Sequence, residues 1–255
     1  MKNKIETMKL YDDLADWYDI LVPITEGYDR EFVEYLHNEI FERHGVSSIL
    51  DCACGTGAQS IGLTKLGYDI VSSDLNLKLL QKANANAERY GTNLKLVNVG
   101  WDKLSDVFGQ RTFDAVLCAG NCLYHYASDT EKLRYLTEMC AVLRKGGVCF
   151  VDFERWDKNF QEIGRERFVL YHHIENNSRN IICSSVYEHE GRKQILTLYF
   201  MIEENKHVQI KTIEAQGYAF TMRELFNLAK QAGFSETQAV RRPGIWKLNA
   251  MLAIK

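Results

Sequence analysis

The sequence predicts a doubly wound α/β fold: a mostly parallel, seven-stranded sheet flanked by helices, with an antiparallel β insertion after the fifth strand. Three observations carry this. Strand-like and helix-like runs alternate from about residue 48 to 153, the pattern of a parallel sheet with helices on both faces. The first apolar strand runs straight from Ile49-Leu50-Asp51 into the small-residue turn Cys52-Ala53-Cys54-Gly55-Thr56-Gly57, which lets backbone close on a ligand. After about Glu154 the alternation stops, and four strand-like runs follow one another.

Taken in order, Leu10–Tyr18 and Glu31–His44 read as helices, the second with Phe32, Tyr35, Leu36 and Ile40 recurring at helical spacing. Strands are expected at 48–52, 68–73, 94–99, 113–118 and 148–153, the last after a Lys-Gly-Gly turn. Helices are expected near 58–66, 77–89 and 130–143. Gly91 stands where a helix C-terminal cap belongs. Strands at 168–174, 181–189, 194–203 and 208–216 form the insertion. A helix at 222–232 and strands at 237–241 and 248–254 return to the main sheet. The expected organisation is an N-terminal helical cap (1–45), a core (46–154 and 219–255) and an antiparallel lid (155–218). An insertion at that point lies near the carboxyl ends of the strands, where open α/β sheets bind ligands.

Composition narrows the function. Hydrophobic residues make up 46% and charged residues 25% of the 255, the balance of an ordinary globular chain. A net charge of −3 with no Lys/Arg block points away from nucleic acid and anionic membrane surfaces. The N-terminus lacks the apolar core of a signal peptide, and no apolar run approaches the ~18 residues of a membrane span. Among seven cysteines, Cys52 and Cys54 form C-x-C without a second pair at zinc-site spacing. Scattered thiols of this kind suit a reduced, cytoplasmic protein without a metal. Monomer and homo-oligomer both stay open.

Seventeen residues past Gly57, the second strand ends on Asp74, an acid placed to reach ribose hydroxyls. A dinucleotide fingerprint requires glycine at position 60, and the chain has Ser60, which disfavours a nicotinamide-dependent oxidoreductase. Trp101-Asp102, just past the third strand, offers an apolar face and a carboxylate that suit adenine.

The pattern Asp51-x-Ala53-x-Gly55-x-Gly57 resembles the first motif of S-adenosylmethionine-dependent methyltransferases. The segment from Phe113 through Gly120-Asn121 to His125 is similar to the fourth-strand segment of glycine N-methyltransferases, as is Gly100-Trp101 to that family's Asn-Trp pair. The resemblance spans roughly residues 45–160. It implies a Rossmann-like methyltransferase core that binds S-adenosyl-L-methionine and releases S-adenosyl-L-homocysteine. It implies cofactor contacts at Tyr18, Arg30, Asp51, Ala53, Gly55, Gly57, Asp74, Leu75, Trp101, Asp102 and Ala119, with the Ala119 carbonyl accepting from the ammonium. It further implies acceptor contacts at Asn121, Arg155, Tyr171 and Tyr218, and catalytic roles for Asn121 and Tyr199. Arg155 falls where the family grips the acceptor's carboxylate. Departures are Gly100 for the family's Asn, Cys122 for Ser and Leu123-Tyr124 for Phe-Ala.

The expected activity is methyl transfer to the amine of a small carboxylate-bearing metabolite such as glycine or sarcosine, the neutral amine held by Asn121 and backbone carbonyls. Two alternatives stand beside it. One is methylation of a hydroxyl or amine on a larger small molecule. The other is a non-catalytic protein that binds S-adenosylmethionine or S-adenosylhomocysteine.

Overall fold

The computed structural model describes residues 2–21, 28–154, 167–176, 179–244 and 248–255, with backbone alone for 2–6, 167–176, 179 and 189. The chain divides into two units, Ile24–Arg155 with Thr221–Lys255, and Met1–Pro23 with Trp156–Phe220.

The larger unit is built on strands β1 (Ser48–Asp51), β2 (Asp69–Asp74), β3 (Lys95–Asn98), β4 (Phe113–Cys118) and β5 (Leu143–Phe153). Two later strands, β10 (Glu236–Arg242) and β11 (Leu248–Ile254), complete the sheet in the order β10-β11-β5-β4-β1-β2-β3. β1 to β5 pair in parallel, while β11 is antiparallel to both β5 and β10. Strand order reverses at β1, which lies between β4 and β2, and such a switch point opens a crevice at the carboxyl edge.

Helix α3 (Arg30–Tyr35) starts on Asp29, whose side chain accepts from Phe32 N–H at 3.4 Å. It continues through a wider-wound segment, Leu36–Phe41, and a 3-10 turn that ends at left-handed Gly45. The expected single helix at 31–44 is thus wound three ways. Its buried face of Phe32, Val33, Leu36, Ile40 and Phe41 packs with Ile49, Leu117, Phe150 and Leu252. Each such side chain contributes about 1.5–3 kcal/mol of burial. Helices α4 (Ala58–Lys65), α5 (Leu77–Arg89) and α7 (Asp129–Val142) follow their strands, and α8 (Met222–Ala232) begins with a capping box of Thr221 and Glu224.

Two details differ from expectation. Helix α6 (Leu104–Phe108) has only five residues, too few to show a helical period. Lys145-Gly146-Gly147 does not precede β5 but lies within it, as an irregularity where pairing to β4 shifts between Phe113 and Ala115. A Cβ on Gly147 would stand 2.9 Å from the carbonyl oxygens of Arg144 and Asp114, so only glycine fits.

In the smaller unit, strands β6 (Arg167–Asn176), β7 (Arg179–Glu190), β8 (Lys193–Glu204) and β9 (His207–Tyr218) form a sequential antiparallel sheet. Asn205 and Lys206 both have φ near +60°, the geometry of a tight hairpin turn with the sheet's own twist. Leu198, Phe200 and Ile202 point into an apolar core with Leu10, Leu14 and Trp17, while Tyr199 and Met201 alternate outward. The N-terminal helix α1 (Lys2–Leu14) ends before the short α2 (Tyr18–Leu21), where one helix over 10–18 is expected.

Candidate active site

The carboxyl ends of β1 to β5 share one edge of the parallel sheet, and the polar groups gather there. Asp51, at the end of β1, is 1% exposed. It accepts from Ser60 Oγ at 2.7 Å, and from Ala53 N–H at 3.4 Å. Ser72 Oγ lies 2.7 Å from Ser60 Oγ, so a buried chain of hydroxyls ties β1, α4 and β2 together. Burial pushes the Asp51 carboxyl up to about 7, against the lowering effect of its hydrogen bonds to Ser60 and Ala53. Ser60 therefore does a structural task at the position where a dinucleotide site needs glycine.

Gly55 and Gly57 have φ of +55° and +90°. A Cβ on Gly57 would press on Leu94 and Ala83 at 3.2 and 3.3 Å. Gly57 also opens α4 without a side-chain cap. The first amides of that helix are thus left to a ligand or solvent, and they suit an anionic group.

Asp74, at the end of β2, accepts from Gly55 N–H at 3.0 Å with one oxygen, and from Asn76 N–H at 2.8 Å with the other. Burial raises its carboxyl above the ordinary carboxylate value, against these backbone donors. It holds the glycine loop in place and keeps lone pairs for further donors such as ribose hydroxyls. Loop and acid together fit a nucleoside with a charged tail. The Leu75 carbonyl accepts from Asn98 Nδ2 at 2.9 Å.

Past β3, Trp101 donates its indole N–H to the Cys52 carbonyl at 2.7 Å. Its ring centroid lies 5.7 and 5.4 Å from those of Tyr126 and Tyr135. Trp101 is half-buried, at once a packed aromatic and an anchor for the loop after β1. Asp102 pairs with Arg134 at 3.5 Å.

Beyond β4, Ala119 is buried, and its carbonyl already accepts from the Cys122 thiol at 3.2 Å. Gly120 and Asn121 follow in left-handed conformation (φ +106° and +59°). Both of their N–H groups donate to one oxygen of Asp152, each at 2.7 Å. Asn121 Oδ1 accepts from Glu154 N–H at 3.0 Å. A backbone N–H only donates, so the amide oxygen faces β5 and the N–H donors of Nδ2 are what Asn121 offers elsewhere. The other Asp152 oxygen accepts from Arg242 Nη1 at 2.6 Å, and Arg242 Nη2 reaches Asp29 at 3.4 Å. Asp152, Arg242 and Asp29 are all buried.

These three residues escape a reading of the sequence. One signal was present, an acid at 152 inside the apolar run 148–153. Arg242 and Asp29 lie 213 positions apart, and no local pattern links them.

Arg30 opens α3 and is exposed. In the smaller unit, the Tyr18 ring lies 6.2 Å from that of Tyr11, Tyr199 is 36% exposed on β8, and Tyr218 closes β9. Tyr171 lies on β6, described by its backbone alone, and Arg155 lies outside the described residues.

Residues 49–147 match the model of a methyltransferase domain family. The chain carries a class I S-adenosylmethionine-dependent methyltransferase domain. It resembles the glycine N-methyltransferases. The glycine/sarcosine N-methyltransferase of Aphanothece halophytica is 33% identical over 166 residues, covering 65% of this chain and 59% of that protein. The glycine N-methyltransferase of Mus musculus is 31% identical over 155 residues, covering 57% and 53%. The chain thus spans little more than half the length of these curated relatives. The methyltransferase fold extends further than the sequence likeness. The structure of a sugar N-methyltransferase from Streptoalloteichus superposes with a TM-score of 0.74 at 21% identity, over 93% of this chain and 92% of that one.

Proposed function

We propose that the protein is an enzyme that transfers a methyl group from S-adenosylmethionine to the amine of a small, carboxylate-bearing metabolite such as glycine or sarcosine. The observation that carries this reading is the Asn121 amide, turned by Glu154 N–H to offer N–H donors at the strand end beside the glycine loop. Such donors suit a carboxylate oxygen of the acceptor rather than its amine. The relatives named as glycine and sarcosine N-methyltransferases support the same acceptor class.

Bound at the loop, S-adenosylmethionine supplies an electrophilic methyl group. Asp74 and the amides at the start of α4 orient its ribose and charged tail, and Trp101 keeps the loop in register. Asn121 orients the acceptor. Rate comes mainly from this alignment and from exclusion of water, since an in-line displacement needs no protein nucleophile. The attacking amine must be neutral, and its proton passes to water. The acceptor roles of Arg155, Tyr171 and Tyr218 and the catalytic role of Tyr199 belong to this reading. Single variants to Lys at 155 and to Phe at the tyrosines test each.

The deciding experiment incubates the protein with S-adenosylmethionine and a panel of amino acids and their decarboxylated analogues, and reads product mass. Methylated glycine or sarcosine, with little product from the analogues, is the expected result. Equal turnover of amines lacking a carboxylate removes the amino-acid acceptor, and no product with any of them leaves a larger or hydroxyl-bearing acceptor or a binding protein.

A further inference from the structure

We propose that Asp152 and Arg242 are positioning residues that hold the Gly120–Asn121 turn in its working shape. The inference rests on the reading that Asn121 meets the acceptor. Two successive left-handed residues turn their N–H groups to one side and make a small anion-binding concavity. Here the chain fills it with its own carboxylate, since one Asp152 oxygen takes both N–H groups at 2.7 Å. A non-glycine residue is uncommon in this region of backbone space, and Asn tolerates it better than most. Two short, charge-assisted hydrogen bonds are what keep Asn121 there.

That carboxylate is 0% exposed and needs a cation. Arg242 supplies it through Nη1 at 2.6 Å, and its guanidinium carbon sits 4.1 Å from the Phe32 ring centroid, a contact that helps to orient it. Asp29 takes the other end of the fork at 3.4 Å while also capping α3. The fork thus connects Asp152 of β5, which holds the Asn121 turn, to the start of α3. Neither Asp152 nor Arg242 is assigned any contact with the reacting groups. Both act through the turn.

Truncating either side chain would leave its partner without a hydrogen-bonding group in the interior, so the test uses variants of similar size and shape. Arg242→Lys keeps the charge and loses the fork. Asp152→Asn keeps the shape, but its amide satisfies either the turn or Arg242 and not both. For wild type, both variants and Asn121→Ala, three quantities are measured: steady-state kinetics with glycine and sarcosine, S-adenosylhomocysteine affinity by calorimetry, and hydrogen exchange at the Gly120 and Asn121 amides. The expected result for both conservative variants is faster exchange at the two amides, with acceptor KM raised roughly tenfold and nucleoside Kd within about threefold of wild type. Unchanged exchange, or faster exchange with unchanged KM, overturns the positioning role. So does nucleoside affinity falling in step with KM, which is the mark of general loosening. If wild type turns over neither amino acid, or Asn121→Ala leaves kinetics unchanged, the acceptor reading fails. The hold on the turn is then judged by exchange alone, which rises if Asp152 and Arg242 shape it.

Discussion

Ser60 Oγ donates to the buried carboxylate of Asp51 across 2.7 Å, and Ser72 Oγ stands at the same distance behind it. A side chain at the first turn of α4 thereby anchors the acid that ends β1. The link ties together the backbone on either side of the glycine loop.

Burial sets the pH behaviour of Asp51. Its carboxyl titrates at about 7 in the fold against 3.8 in the open chain, so the folded protein holds the extra proton between those values. The sign follows directly. The stability contribution of this group is fully present below pH 3.8 and is lost as pH rises through 7. Asp51→Asn keeps an acceptor for Ser60 and removes the titration. Relative to wild type, its stability should rise between pH 4 and 8, by at most about 4 kcal/mol. Urea midpoints at pH 4.5, 6 and 8 check this, and parallel curves for the two proteins contradict it.

Asp74 should be felt first in nucleoside binding. Asp74→Ala removes the acceptors for Gly55 and Asn76 N–H as well as those left for ribose. S-adenosylhomocysteine affinity should fall by roughly 1–3 kcal/mol. Calorimetry reads it, and NAD should give no heat with either protein.

Trp101 separates packing from hydrogen bonding. Trp101→Phe retains an aromatic ring against Tyr126 and Tyr135 but loses the N–H to the Cys52 carbonyl. Binding of S-adenosylhomocysteine should weaken by about 1 kcal/mol, with a larger loss for Trp101→Ala. Equal losses in the two variants would mean that the ring contributes nothing.

Gly244 tests how tightly the buried ion pairs are packed. Its φ is +96°, and a Cβ there would lie 2.4–2.8 Å from the Asp29 carboxyl atoms. Gly244→Ala should lower the unfolding free energy by roughly 1–3 kcal/mol, read from the denaturation midpoint, through backbone strain and displacement of Asp29 from Arg242. A midpoint equal to wild type would show that the segment shifts freely.

Local pattern was enough for the fold. Alternating runs over 48–153 predicted the parallel sheet, and four successive strand-like runs predicted the antiparallel one, because hydrophobic period and turn chemistry act within a few residues. Asp51, Gly55, Gly57 and Asp74 were legible for the same reason: each sits at a strand end or turn that its neighbours define. Helix α6 and the irregularity at Gly146-Gly147 were not, one being too short and the other set by the neighbouring strand.

The sequence by itself determined the class I methyltransferase core, since the glycine loop and strand-ending acid stand at fixed spacing along one strand–turn–helix–strand unit. Only the tertiary structure decided what surrounds that loop. It sent the Trp101 indole to the Cys52 carbonyl, turned the Asn121 oxygen toward Glu154, and joined Asp152, Arg242 and Asp29. These contacts depend on which strands lie side by side and on burial that makes an unpaired charge costly. Neither is written in the spacing of neighbouring residues.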